Sequence, residues 1–210
     1  MYIPEFNRVR DNAVALGFMK ANPFAILVST ADTGPFATHV PILVREAGEQ
    51  IVLRGHVAKA NPHWEWMKRD QECLAIFHGA HAYISPSLYE NRESVPTWNY
   101  AAVHVSGKAR LVVEPEPLLD ILHDSIQMFD PSYQEQWSGL REEYRTRMLS
   151  HIVGFEIVAE RLEGKFKLSQ NRTKTEQARV RDTLGVSTDS AVAGVGKLMR
   201  AAGLGSDPRK

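Results

Sequence analysis

Trp98, Asn99, Tyr100 and His104 fall within seven residues of one another, in the segment Val95-Pro96-Thr97-Trp98-Asn99-Tyr100-Ala101-Ala102-Val103-His104-Val105-Ser106-Gly107. An indole can stack on a flat ring, and a carboxamide both donates and accepts hydrogen bonds. Such groups match the donor and acceptor edge of a flavin or pterin. A second block lies upstream, Gly55-His56-Val57-Ala58-Lys59-Ala60-Asn61-Pro62-His63-Trp64. It reads as a strand end and a helix start with a lysine between them. Gly55 would let a ligand approach the backbone, and Lys59 with the helix N-terminus would hold a phosphate. Together the two blocks suggest a phosphorylated aromatic cofactor.

Two further groups extend the list. In Thr38-His39-Val40-Pro41, Thr38 and Val40 share one strand face, and His39 and Pro41 the other. His39 could therefore meet a ring carbonyl or nitrogen. Lys165, Lys167, Gln170 and Asn171 form a basic and polar cluster between a strand and a helix. A phosphate or a carbonyl-rich ring edge would use those groups. Each block also has an ordinary reading: a solvated lysine, an edge-strand histidine, a core tryptophan beside a turn asparagine, a surface loop.

Other chemistries find less support. The eight histidines include His78 and His81, three apart, but Gly79-Ala80 between them reads as a turn and no carboxylate stands near. A zinc site needs convergent ligands that the spacing does not supply, so no metal is expected. No Gly-x-Ser-x-Gly elbow occurs, and no glycine-rich loop ends in Gly-Lys-Ser/Thr. The single cysteine, Cys73, sits in the apolar run Cys73-Leu74-Ala75-Ile76-Phe77 and should be buried. The 25 basic residues match the 25 acidic ones, so no overall positive field draws nucleic acid. From Arg172 to Lys210 there are eight basic and four acidic residues, a net of +4. With Gly185 between two helical stretches this segment can be tested as a helix-turn-helix. Two terminal helices packing on the main domain or on a partner explain it better. No apolar stretch nears the ~20 residues that span a bilayer, and the first residues do not read as a signal peptide. A cytoplasmic protein is expected.

The elements that must position these groups read mainly as strands. At 210 residues and 43% hydrophobic composition, the chain can bury one real core. A helix is expected over 8–21, stopped by Asn22-Pro23. Strands follow over 24–30, 36–44 and 50–56, with Pro41 marking an edge or bulge. A short helix opens at Asn61-Pro62 and runs to about residue 68. Further strands cover 72–78, 98–113 and 152–162, with Gly107 as a bulge or close backbone approach. Helices cover 115–129 and 140–150, and two more divide 173–200. About six strands in meander order, with helices at the margins, point to a mainly β, α+β fold built as a small antiparallel barrel. Residues 1–170 are expected to form the main domain and 171–210 a helical extension packed on the barrel or on a dimer partner. The last residues, 203–210, read as frayed.

In this order the blocks resemble the PaiB-type family of FMN-binding negative transcriptional regulators, within the FMN-binding split-barrel group. The matching pieces are Met1-Tyr2-Ile3-Pro4 with Phe6, Thr38-His39-Val40-Pro41 and Gly55-His56-Val57-Ala58-Lys59-Ala60-Asn61-Pro62. Tyr83-Ile84-Ser85-Pro86, Val95-Pro96-Thr97-Trp98-Asn99-Tyr100 and Lys165-Phe166-Lys167-Leu168-Ser169-Gln170-Asn171 complete the set. The resemblance implies an antiparallel, Greek-key-like split β-barrel that forms a homodimer with FMN at the subunit interface. It implies that Lys59, with Gly55 and His56, holds the phosphate, and that Thr38, His39, Val40 and Pro41 line the ring. Trp98, Asn99, Lys167 and Gln170 would supply remaining contacts. The family label adds repression of genes, with DNA as a partner. Two other functions stay open on this fold: an FMN-dependent oxidoreductase of the flavin reductase kind, and a haem binder using His39, His56 or His104.

Overall fold

The computed structural model describes residues 1–69 and 72–206. Residues 207–210 of the expected helical extension and frayed tail lie outside the described residues. The strands pair in the order β3-β2-β6-β7-β8-β5-β4, with β9 joined to β1 and β7. These are β1 (Arg8–Val9), β2 (Phe24–Ala31), β3 (Gly34–Pro41), β4 (Leu43–Ala47), β5 (Gln50–Ala58), β6 (Glu72–Ile84), β7 (Thr97–Val112), β8 (Ile152–Val158) and β9 (Arg161–Lys167). The helices are α1 (Asn12–Ala21), α2 (His63–Met67), α3 (Pro115–Phe129), α4 (Tyr133–Gly139), α5 (Glu142–Leu149), α6 (Lys174–Gly185) and α7 (Ser190–Ala201). The fold is thus an antiparallel nine-stranded sheet with flanking helices, as the strand-rich reading of the sequence requires. The chain divides into two compact units, Leu16–Phe77 with His104–Leu162, and Met1–Ala15 with His78–Val103 and Glu163–Lys210.

In the first unit, β2 and β3 form a hairpin in register from Phe24↔Pro41 to Ala31↔Gly34, and Gly34 has the positive φ of +117° that its turn demands. Ala25, Leu27, Ser29 and Ala31 alternate inward along β2. Pro41 ends β3, which lies at the end of the strand path, as a residue without an N–H must. The expected strand over 36–44 is therefore two strands. Ile42 leaves the ladder to donate its N–H to the Pro23 carbonyl at 2.8 Å, and Leu43 begins β4 against β5.

β5 then pairs with β8 rather than with the next strand in sequence, from Val52↔Val158 to Ala58↔Ile152. The expected meander order is corrected on this point: an excursion of almost a hundred residues separates β5 from its neighbour. The expected strand over 152–162 also divides, because Ala159 and Glu160 turn their N–H groups to the carbonyls of Ile51 and Ser106. α3 covers the end of this sheet, burying Leu118 and Ile121 against Val112, and a Cβ on Gly154 would sit 2.9 Å from Leu118.

An ion-pair network crosses four strands and α3 of this unit. Arg54, only 6% exposed, pairs with Asp124 of α3 at 2.7 Å and with Glu156 of β8 at 2.9 Å. Arg45 from β4 and Arg110 from β7 take the remaining oxygens of Asp124 and Glu156. A buried guanidinium is tolerable only when paired in this way.

In the second unit, β1 pairs with β9 through Arg8↔Lys165 and Val9↔Gly164. That pairing shortens the expected helix over 8–21, which starts at Asn12, with the Asp11 carboxylate accepting from the Ala13 N–H at 2.8 Å. α6 and α7 bury Val180, Leu184, Val195 and Met199 together with Ala82, Ile84, Tyr89 and Leu168. α6 is closed by a capping box of Thr173 and Glu176. A Cβ on Gly194 would stand 2.7 Å from the Cβ of Ala80, and one on Gly196 2.7 Å from the Gly185 nitrogen. α7 therefore lies tight on both α6 and β6, with Ser190, Lys197, Arg200 and Ala201 exposed.

Gly107 makes the closest approach in the first unit. A Cβ there would lie 2.0 Å from the Val158 carbonyl oxygen, a backbone atom that cannot move aside. Gly107→Ala is expected to destabilise the protein by more than about 2 kcal/mol. Urea unfolding of both proteins checks this through a lowered midpoint at unchanged slope.

Candidate functional site

The expected site residues fall into two sets, one in each unit. Thr38, His39, Val40, Pro41, Gly55, His56 and Lys59 belong to the first unit, and Trp98, Asn99, Lys167 and Gln170 to the second.

In the first set, the β3 alternation is as the sequence implies: Thr38 and Val40 turn inward, His39 and Pro41 outward. The Thr38 hydroxyl is committed internally. It accepts from Asn61 Nδ2 at 3.1 Å and contacts His63 Nδ1 at 2.8 Å. His63 Nε2 meets Ser29 Oγ at 2.8 Å, and Ser29 Oγ lies 3.3 Å from Cys73 Sγ. A chain of five polar side chains thus runs from Asn61 to Cys73. His63 is completely buried, and burial pushes its pKa from 6.5 down to about 4. Burial also pushes the Cys73 thiol up, as expected of a buried cysteine. His63 fixes α2 against the β2–β3 hairpin, a role that no spacing in the sequence announces.

His39 stands exposed with its ring centroid 6.1 Å from Phe24. Gly55 owes its identity to packing: a Cβ would meet the Phe155 ring at 2.7 Å and the Pro41 carbonyl at 3.0 Å. His56 is half-buried, and burial lowers its pKa. Lys59 is exposed on a backbone held at both ends. Its N–H donates to His151 O at 2.7 Å, and its carbonyl accepts from Trp64 Nε1 at 3.0 Å. The expected helix from residue 61 is only α2, five residues long, so its dipole adds little at Lys59.

The second set surrounds a cavity of about 190 Å³. Trp98 is half exposed, not a core tryptophan; it meets Tyr83 edge-on at 6.1 Å and His81 at 6.1 Å. Asn99, the next residue of the strand, is fully buried. Its Nδ2 donates to Ser169 Oγ at 2.9 Å, and its Oδ1 has no partner among the described residues. Lys167 Nζ donates to Thr97 Oγ1. Gln170 is spent on the local backbone: its Oε1 accepts from the Leu168 N–H at 2.7 Å and its Nε2 donates to the Phe166 carbonyl. That clamp shapes the turn in which Ser169 takes a φ of +65°, a conformation unusual outside glycine. Lys165 turns away from the cavity to donate to Tyr2 O at 3.0 Å, between the rings of Tyr2 and Tyr100. Arg172, not singled out in the sequence, lines the cavity with its guanidinium 3.6 Å from the Tyr89 ring centroid. Ser169, Arg172 and Tyr89 are the residues that sequence reasoning misses here. Ser169 at least lies inside a block already marked by its lysines.

Strand order and flanking helices are those of a split-barrel fold, and comparison with known proteins places the chain in a flavin-binding family. Residues 1–161 match the family described as "Putative FMN-binding domain". The chain is 36% identical over 186 residues to "Protease synthase and sporulation protein PAI 2" of Bacillus subtilis, covering 88% of this chain and 89% of that one. Two solved structures share the fold at low identity. The flavocytochrome Anf3 of Azotobacter vinelandii has a TM-score of 0.62 at 12% identity, over 79% of this chain and 72% of the other. The FAD and heme binding protein of Mycobacterium smegmatis has a TM-score of 0.59 at 10% identity, over 77% and 73%. The chain belongs to this FMN-binding family, in its PaiB-type branch, and FMN is its cofactor.

The residues present fit that group. FMN carries ring carbonyls, one ring N–H and a phosphate. The second-unit cavity offers two cations, Lys167 and Arg172, and an unpaired buried amide oxygen. Its volume is below the ~300–1,000 Å³ of a pocket that encloses a whole drug-sized ligand, so it suits one end of such a molecule.

His63 makes acid stability a test of the first set. Its folded-state pKa lies below its unfolded one, so its contribution is complete above pH 6.5 and is lost as the pH falls through about 4. The drop corresponds to about 3 kcal/mol. Denaturant unfolding between pH 7 and pH 4 should show a loss of that order, much reduced in His63→Gln.

Proposed function

We propose that the protein is an FMN-binding regulator that works as a homodimer in the cytoplasm, with the flavin at the subunit interface. The observation that carries the reading is the polar cavity beside Trp98: a ring-edge receptor flanked by an exposed aromatic surface. Tyr2, Phe6, Tyr83 and Trp98 of the same unit are each more than half exposed. Exposed aromatic side chains of this density mark association surfaces. The similarity to the Bacillus subtilis sporulation protein supports a regulatory role. Among the described residues no helix is long and apolar enough to cross a membrane. Regulation would act through a partner or a DNA surface other than α7, which is held against α6 and β6.

The carried-over roles remain part of this proposal. Lys59 is the phosphate ligand, because its ammonium is exposed while its backbone is fixed by His151 and Trp64. Thr38, through its bonds to Asn61 and His63, orients β3 so that His39 faces outward. Bound FMN supplies a ring that accepts and returns a hydride or single electrons. An oxidoreductase would use it directly, and a regulator would report its state.

The visible absorption spectrum of the purified protein with added FMN, followed through gel filtration, tests the reading. Two flavin bands co-eluting with a dimer are expected; a colourless monomer would defeat it. Rapid reduction by NAD(P)H would favour the oxidoreductase. Lys59→Ala is expected to weaken FMN at least tenfold, about 1.4 kcal/mol, in a fluorescence titration. Unchanged affinity would remove Lys59 from the site.

A further inference from the structure

The cavity of about 190 Å³ has an unusual balance of hydrogen-bonding groups. Its lining residues include two cations, Lys167 and Arg172, and no carboxylate. Lys167 spends one of its three N–H groups on Thr97. Ser169 Oγ accepts from Asn99, which leaves its own O–H to give. Against these donors stand two carboxamides of the lining, the exposed Asn171 and the wholly buried Asn99, whose Oδ1 has no partner among the described residues. A buried amide oxygen left unpaired loses the hydrogen bonds it made to water. Ser169 also holds a left-handed backbone conformation that serine pays for, and strain of this kind collects at ligand sites.

A simple anion would answer the donors and leave Asn99 Oδ1 unpaired. A ligand that answers all of them must place one N–H between two acceptors. We propose that this cavity reads a cyclic imide edge, the –CO–NH–CO– side of a pyrimidinedione ring. Asn99 Oδ1 accepts the imide N–H, and Lys167 and Ser169 donate to the flanking carbonyl oxygens. Arg172, flat against Tyr89, adds positive charge at the same edge. Two sources carry this chemistry: the pyrimidine end of a flavin ring and a free uracil-type base. The flavin source rests on the function proposed above; the imide reading does not.

The test compares FMN, N3-methyl-FMN and uracil on three proteins: wild type, Asn99→Asp and Asn99→Leu. Asn99→Asp keeps an acceptor and can still pair with the Ser169 hydroxyl. Asn99→Leu keeps the bulk and removes the acceptor. Flavin affinities come from fluorescence quenching and uracil affinity from calorimetry, with circular dichroism confirming the fold of each variant. The wild type should bind FMN at least tenfold more tightly than N3-methyl-FMN. Asn99→Asp should keep that preference, and Asn99→Leu should lose it by binding both weakly. A preference that persists in Asn99→Leu would be steric and would overturn the proposal, as would equal binding of the two flavins by the wild type. Uracil binding that depends on Asn99, with no FMN bound at all, would assign the cavity to a free base and sink only the flavin reading. Failure of both FMN and uracil to bind the wild type would overturn the imide site itself.

Discussion

A polar atom taken out of water must find a partner, and that constraint organises both candidate sets. In the first set it is met by a continuous chain of hydrogen bonds. His63, fully buried, is bonded on one side to Thr38 and on the other to Ser29. Asn61 and Cys73 close the two ends of the chain. A neutral ring satisfies every atom: Thr38 accepts from Asn61 and gives its proton to Nδ1, leaving Nε2–H for Ser29. A protonated ring would bring a charge into a site with no counter-ion among these partners, which is why the pKa falls. The result fixes the start of α2, and so the backbone that presents Lys59.

In the second unit two buried amide oxygens have no partner among the described residues, Asn7 Oδ1 and, at the cavity, Asn99 Oδ1. The turn after β9 is over-determined: Gln170 clamps Phe166 and Leu168, and Gln177 donates to the Arg172 carbonyl at 2.9 Å. Glu176 accepts from the Glu90 N–H at 2.9 Å while completing the cap of α6. So many bonds allow Ser169 its strained φ and hold it against Asn99. With everything around it satisfied, the open Asn99 Oδ1 is not a packing accident of a loose loop. It is the position in the cavity wall where a rigid frame leaves a bond to be made.

Much of this fold is legible in the sequence because strand alternation and turn chemistry are local. The runs at 24–30 and 73–77 are largely apolar and strand-length, Pro41 ends a strand at the end of the pairing path, and the helix at Pro115–Phe129 has its proline in the first turn. What is not legible is non-local. Nothing near Val158 says that β5 will pair with β8, or that Ala159 and Glu160 will turn away to Ile51 and Ser106. The division of 36–44 into two strands follows from the bond of Ile42 to Pro23, again outside any local window. The short α4 has weak apolar periodicity and escapes for that reason. The site shows the same split. The blocks holding Lys59, Asn99 and Lys167 stand out by composition. The roles of Gly55 and Gln170 depend on what they touch, and both prove to serve the frame.

That distinction between frame and contact also bears on function. A carboxamide bonded at both ends to its own backbone, as in Gln170, is fixed in place with one N–H and one lone pair left over. An exposed indole edge-on to a tyrosine, as in Trp98 and Tyr83, costs nothing to cover and gains about 25 cal/mol for each Å² of apolar surface removed from water. Among the expected site residues, His39, Lys59 and Trp98 are exposed, while Asn99 is buried with its Oδ1 unpaired among the described residues. The α6–α7 pair belongs to the frame as well. It buries Val180, Leu184, Val195 and Met199 in the same cluster as Leu168, one residue before Ser169.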